Sequence, residues 1–168
     1  MVRGLGAEGL ARAAARLAAT REPLTRAQIR RRIGCSLTGL GRALDTLRWK
    51  VGATGQGDLA RHLLLCALGA LRAPAARGAA TLLEAGTEAA QRYVRGLGLP
   101  PRERHVLAGL LDPSRGSRAA LQRDLGRGAS VLRKTVRKLQ VRFDAPGRGQ
   151  LVRAALHDAI DASGGGGP

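Results

Sequence analysis

Acidic residues are scarce in this chain: 12 Asp and Glu stand against 29 Lys and Arg in 168 residues, a formal net charge of +17. Aromatic residues make up only 2 %, which argues against the base-stacking platforms that grip single-stranded RNA and means that any core is built from Leu, Ala, Val and Ile. Cysteine is limited to Cys35 and Cys66, in no CxxC pattern, so neither a disulfide framework nor a zinc finger is indicated. No run of about 18 apolar residues occurs, so no membrane span is expected. Near the start, Glu8, Arg12 and Arg16 interrupt any apolar stretch before it reaches signal length. A cytoplasmic protein with no cofactor is the expectation.

What is present is apolar and basic. Hydrophobic residues account for 44 %, enough to bury a core, and an all-α fold suits this aliphatic palette. Of the 29 basic residues only Lys50, Lys134 and Lys138 are lysines. A GC-rich genome favours Arg, Ala and Gly, but it does not remove Asp and Glu. The excess therefore points to a polyanion, DNA or RNA, with an anionic membrane surface second.

Sliding the sequence by 92 positions aligns residues 25–61 with 117–153 without a gap and gives eleven identities. Among them are Arg26/Arg118, Ala27/Ala119, Gly34/Gly126, Leu40/Leu132, Leu47/Leu139, Gly57/Gly149 and Arg61/Arg153. Conservative pairs such as Thr25/Ser117, Ile29/Leu121, Leu44/Val136 and Lys50/Arg142 add to them. A duplication is the better reading than chance.

Each copy has one grammar. Thr25 or Ser117 caps a helix with apolar residues four apart, and Gly34 or Gly126 ends it. The next helix places Leu40, Leu44, Leu47 and Val51, or Leu132, Val136, Leu139 and Phe143, on one stripe. Glycines then break the chain before a last helix from about Asp58 to Leu71 or Gln150 to Ile160. Amphipathic helices from about Leu10 to Ala19 and Pro101 to Leu111 precede the two copies. The expected organisation is a first four-helix unit over 5–71, a helical linker over 72–98, a second unit over 99–162 and a flexible tail over 163–168. The linker is expected to be helical from Pro74 to Gly96, weakened by Gly78 and Gly86, and to pack on either unit or on a second chain, making a homodimer.

Two helices joined by a glycine turn, the second with one buried face, form a helix-turn-helix, whose second helix enters the major groove. Residues 115–148 carry a net +8 and residues 21–61 a net +6, fourteen of the seventeen surplus charges. Arg133, Lys134, Arg137 and Lys138 lie off the apolar stripe with no acid among them. They are the leading candidates for duplex contact, with Arg118, Arg123, Arg142 and Arg148 around them. The first copy has Gly41 and Asp45 where the second has Arg133 and Arg137. It offers Arg42, Arg48 and Lys50 on that helix and Arg26, Arg30 and Arg31 before it, so the two units are unequal readers. Asp45 is expected as a surface or ion-pair residue, and Trp49 as packed against the last helix or the linker.

The second unit resembles the C-terminal DNA-binding domain of LuxR/GerE-type bacterial regulators. Leu99-Pro-Pro-Arg102-Glu103 with Val106-Leu107 is similar to that family's opening LTxRExxVL. Leu121 to Leu125 fits its IAxxL, and Arg142 to Arg148 with Leu151-Val152 fits its closing KLxVxxRxxAV. In the first unit, Ile29 to Ser36 matches IAxxLxxS and Lys50-Val-Gly-Ala53 matches KLxV. The resemblance implies four-helix units, groove contacts at Arg133 and Lys134, and a role in transcription. The family's Ser opening the recognition helix is here Gly128, and the first unit lacks the Arg-Glu opening. No receiver or ligand-binding domain is recognised, so control by phosphorylation or a small ligand is not expected.

The sequence therefore predicts a double-stranded DNA-binding regulator reading two half-sites. The alternatives are a nucleoid-type architectural protein and an interaction module that grips RNA polymerase or another transcription protein. Enzyme chemistry is not expected: His62 and Cys66 lie one helical turn apart without a second pair, which favours a packed helix face. Tyr93 lacks a surrounding Arg/His cluster, and Gly164 to Gly167 is no strand-to-helix phosphate turn.

Overall fold

The computed structural model describes residues 27–28, 37–51, 53–76, 78–115, 118–125 and 128–164. Among them the chain forms helices and no strands: α1 Leu37–Val51, α2 Gln56–Arg72, α3 Ala79–Gly96, α4 Pro101–Leu111, α5 Arg118–Leu125, α6 Ala129–Arg142 and α7 Arg148–Gly164. Ala27 and Gln28 are also helical, whereas the expected helix over 10–19 lies outside the described residues. No helix among the described residues is long and apolar enough to cross a membrane.

The 92-residue offset reappears in the backbone. Helices α1 and α6 start 92 residues apart, and α2 and α7 both start and end 92 apart. The Ala53 N–H donates to the Arg48 carbonyl at 2.9 Å, and the Ala145 N–H to the Gln140 carbonyl at 2.8 Å. Likewise Leu59 bonds back to Gly55 at 2.8 Å and Leu151 to Gly147 at 2.9 Å, opening the last helix of each copy. At the end of α6, Asp144 adopts φ +46, and the paired bonds Ala145 to Gln140 and Asp144 to Val141 close a Schellman motif.

One aliphatic core runs through most of the chain. It takes Leu64, Leu65 and Leu68 from α2, Ala90 and Val94 from α3, and Val106, Leu107, Leu110 and Leu111 from α4. Leu121 of α5, Leu132 and Leu139 of α6, and Leu151, Ala155 and Leu156 of α7 complete it. Each such leucine adds about 1.5–3 kcal/mol on burial. Residues 72 and 98 therefore mark no break in the packing, and the segment expected as a linker is part of the core. A smaller cluster, Leu59, Leu63 and Ala67 of α2, receives Leu44 of α1 and Ile160 of α7.

The α2–α3 crossing depends on glycine. A Cβ at Gly69 would run into the Leu82 carbonyl, and one at Gly86 into the Leu65 carbonyl, so the two backbones touch where both residues lack side chains. Gly86, expected to weaken its helix, is what lets that helix approach. Helix α3 starts at Ala79 rather than Pro74, because Gly78 just before it sits at φ +88. The Cys66 thiol, on the buried face of α2, donates to the Ala79 carbonyl at 3.7 Å, which ties the start of α3 to α2.

Helices α2 and α7, the last helices of the two sequence copies, lie side by side in the same direction. Their N-terminal ends line one cleft. At their C-terminal ends the Arg72 Nε donates to Ser163 Oγ at 3.1 Å. Ser163 in turn donates to the Ala159 carbonyl at 2.6 Å, so α7 extends through Ser163 and Gly164 into the segment expected as a tail.

Candidate nucleic-acid interface

Helix α6 separates its two faces cleanly. Leu132, Thr135 and Leu139 are buried, with Val136 and Phe143 packed against the same core. Thr135 is a polar side chain on that buried face, and its hydroxyl is satisfied by donating to the Val131 carbonyl at 2.9 Å. Helices α4 and α7 hold this face. The opposite face presents Arg133, Lys134, Arg137, Lys138 and Arg142, all exposed, as the stripe predicted. Among the described residues none of the five makes an ion pair with an acid. Like charges at i,i+4 repel by a few tenths of a kcal/mol, a cost that a polyphosphate reverses through counterion release.

Helix α1 uses the same scaffold differently. Leu44 packs toward α2 while Gly41, Arg42, Asp45 and Thr46 are exposed. Asp45 accepts from Arg48 Nη1 at 3.1 Å, the expected ion-pair role, so the charge of Arg48 is locally balanced. The expectation for Trp49 is corrected: the indole is 84 % exposed and packs on neither the last helix nor α3. Its helical position puts it roughly 140° around the axis from Leu44, on the side away from the core.

The other expected contact residues divide into three groups. Arg123 is exposed on α5, beside the α6 cations in sequence order. Arg26, Arg30 and Arg31 lie outside the described residues, as do the side chains of Arg118 and Lys50. Arg148 is half-buried at the start of α7 and lines a cleft away from the exposed face of α6.

That cleft, of about 930 Å³, lies where the N-terminal ends of α2 and α7 meet the end of α4. Corresponding residues of the two copies face into it: Gly57 with Gly149, Asp58 with Gln150 and Arg61 with Arg153. Arg61 pairs with Asp58 and donates to the Leu110 carbonyl at 3.3 Å. Asp58 also accepts from the Thr54 N–H at 2.8 Å and its hydroxyl at 3.1 Å. Burial disfavours the Asp58 carboxylate, but the Thr54 hydrogen bond and the charges of Arg61 and His62 outweigh it and hold the carboxyl below its usual range. Sequence reasoning missed this junction, although the Arg61/Arg153 identity was its signal.

The titratable groups considered for catalysis are held in the packing. His62 and Cys66 are both buried, and His62 Nδ1 lies 2.8 Å from the Asp58 carbonyl oxygen. Burial pushes the Cys66 thiol up to about 11. Burial and the nearby Asp158 raise the Tyr93 phenol above its ordinary value. Among the described residues no group of three or more His, Cys, Asp or Glu is placed to hold a metal.

No protein-family model, curated protein or solved structure matches this chain.

Proposed function

We propose that the chain is a double-stranded DNA-binding protein acting in bacterial transcription at the nucleoid, with two unequal helix-turn-helix heads that arose by duplication. The observation that carries this reading is the exposed face of α6: five cations and no acid, opposite a face fixed in the core. Arginine forks onto guanine O6 and N7, and lysine and arginine also neutralise phosphates. The resemblance to LuxR/GerE-type domains agrees with placing α6 in the groove and α1 as its counterpart.

The packing of α2 on α7 supports a single-chain version of a two-headed reader. Equivalent helices running side by side in one direction are what a two-fold axis along the pair generates, as in the self-complementary interface of a symmetric dimer. Joined in this way the heads keep a set spacing, and binding of one raises the effective concentration of the other.

The test is a titration of labelled duplex with the full chain. Arg133→Ala with Arg137→Ala is expected to weaken binding at least about thirtyfold and to flatten the salt dependence by about two phosphate equivalents if both contacts are to the backbone. The melting temperature should not change. Unchanged affinity would instead favour the protein-interaction reading. A preference for a selected site of about a thousandfold over bulk DNA separates a regulator from an architectural protein.

A further inference from the structure

Three large apolar side chains stand in solvent among the described residues: Trp49 at 84 %, Val141 at 78 % and Leu71 at 51 %. A single exposed apolar residue is ordinary on a protein surface. Trp49 and Val141, however, are 92 residues apart and so occupy one position of the repeat. Each lies on the outward side of the second helix of its copy. On α6 the exposed residues Arg133, Arg137 and Val141 follow one another at i, i+4 and i+8, and the corresponding exposed residues of α1 are Gly41, Asp45 and Trp49. The row that carries two cations on α6 carries none on α1, and its apolar member is far larger there.

We propose that position 49/141 is an apolar DNA contact, and that Trp49 makes it the main selector of the first head. That head reads thymine C5-methyl groups, whereas the second reads guanine edges through Arg133 and Arg137. The inference rests on the DNA-binding reading above and adds to it a base preference for each half of the site. The thymine methyl is the apolar group that base edges present in the major groove. An indole is rigid, having two side-chain torsions, and it loses little freedom on contact. Asp45, one turn earlier, is held by Arg48, and Gly41, a turn before that, has no side chain to keep the helix from the groove. The two heads then recognise an asymmetric site, thymine-rich in one half and guanine-rich in the other.

The experiment uses the full chain and duplexes selected from a randomised pool. Anisotropy of a labelled duplex reports binding. Emission of Trp49, the single tryptophan of the chain, and its quenching by acrylamide report the first head separately. Saturating duplex is expected to shield Trp49 from acrylamide. Deoxyuracil in place of thymine in one half-site should weaken binding about fourfold for each methyl lost, the transfer value of such a group. Trp49→Ala should lose that sensitivity while keeping the wild-type melting temperature. Duplex bound at full anisotropy with Trp49 still open to acrylamide would overturn the proposal, as would shielding without any effect of deoxyuracil. If no duplex bound at low salt, anisotropy alone would reveal it, and the DNA-binding reading itself would fall.

Discussion

Helix α6 carries Arg133 and Arg137 where α1 carries Gly41 and Asp45, yet the two helices begin 92 residues apart and are closed by the same backbone bond to Ala145 or Ala53. What the copies share is packing and what distinguishes them is the exposed row. Buried positions answer to neighbours on several helices, so a change there costs several kcal/mol. An exposed row answers to the partner alone. A row of Gly41, Asp45 and Trp49 in one copy against Arg133, Arg137 and Val141 in the other is the pattern expected if, as proposed, the two copies read different sequences.

The largest effect should come from breaking the packing that joins the two copies. Gly86→Val would place a branched side chain against the Leu65 carbonyl at the α2–α3 crossing, forcing the helices apart at a cost of about 3 kcal/mol or more. Because the buried cluster runs from α2 to α7, circular dichroism should follow one transition displaced to much lower temperature. Two transitions, one unshifted, would mean that the halves fold independently.

That joint was the part of the fold least legible in the sequence. Helix α4 follows the Pro-Pro start and the Asp112-Pro113 stop as expected, and the α6 stripe put Leu132 and Leu139 inside and the cations outside. These elements are specified by signals within one helix. Gly86 has the same local signature whether it breaks a helix or lets a second one approach, and the difference lies in Leu65, 21 positions away. Trp49 failed for a related reason: hydrophobicity predicts burial only when a neighbour exists to bury against. Its position off the stripe was the better guide. In the same way the cleft between α2 and α7 arises from residues 92 apart, which no local pattern joins.

A second comparison concerns Asp58 and its counterpart Gln150. Asp58 binds the Thr54 N–H and pairs with Arg61, and its carboxyl is held below the ordinary 3.8. A carboxyl with a depressed folded-state value contributes its stability above the unfolded value, and the contribution disappears as pH falls through the folded one. Asp58→Gln, which copies the second repeat, is expected to cost about 1–2 kcal/mol at pH 7. Measured by urea titration, this difference from wild type should narrow below pH 3.8 and close at lower pH. A gap that stays constant with pH would assign the loss to shape rather than charge.

The exposed rows themselves can be made more alike. Asp45→Arg installs the Arg137 residue type on α1 and releases Arg48 from its ion pair. An exposed pair of this kind contributes about 0–1 kcal/mol, so the fold should be unaffected within that margin. Duplex affinity at low salt should rise about fivefold, with a steeper salt dependence from the added cations. The gain should be largest on duplexes bearing guanine in the first head's half-site, where the new guanidinium has an edge to read. Equal gains on all sequences would place residue 45 over the phosphates instead of the bases.

The smallest expected effect lies at the end of α6. Asp144 holds the left-handed position of the Schellman motif at φ +46, a conformation that glycine adopts without a Cβ penalty. The residue aligned with it in the first copy is Gly52. Asp144→Gly should stabilise the folded chain by about 0.5–1 kcal/mol, less the extra freedom that glycine gives the unfolded chain. The substitution also removes an acid two residues beyond Arg142, so duplex affinity should increase slightly. Asp144→Asn separates the two contributions, because asparagine removes the charge while keeping a side chain that tolerates this conformation. If Asn and Gly raise affinity equally but only Gly raises the melting temperature, backbone strain sets the stability and charge sets the binding. Equal melting temperatures for the two would instead assign the cost of Asp144 to the negative charge it places just beyond the C-terminal, negative end of the α6 dipole.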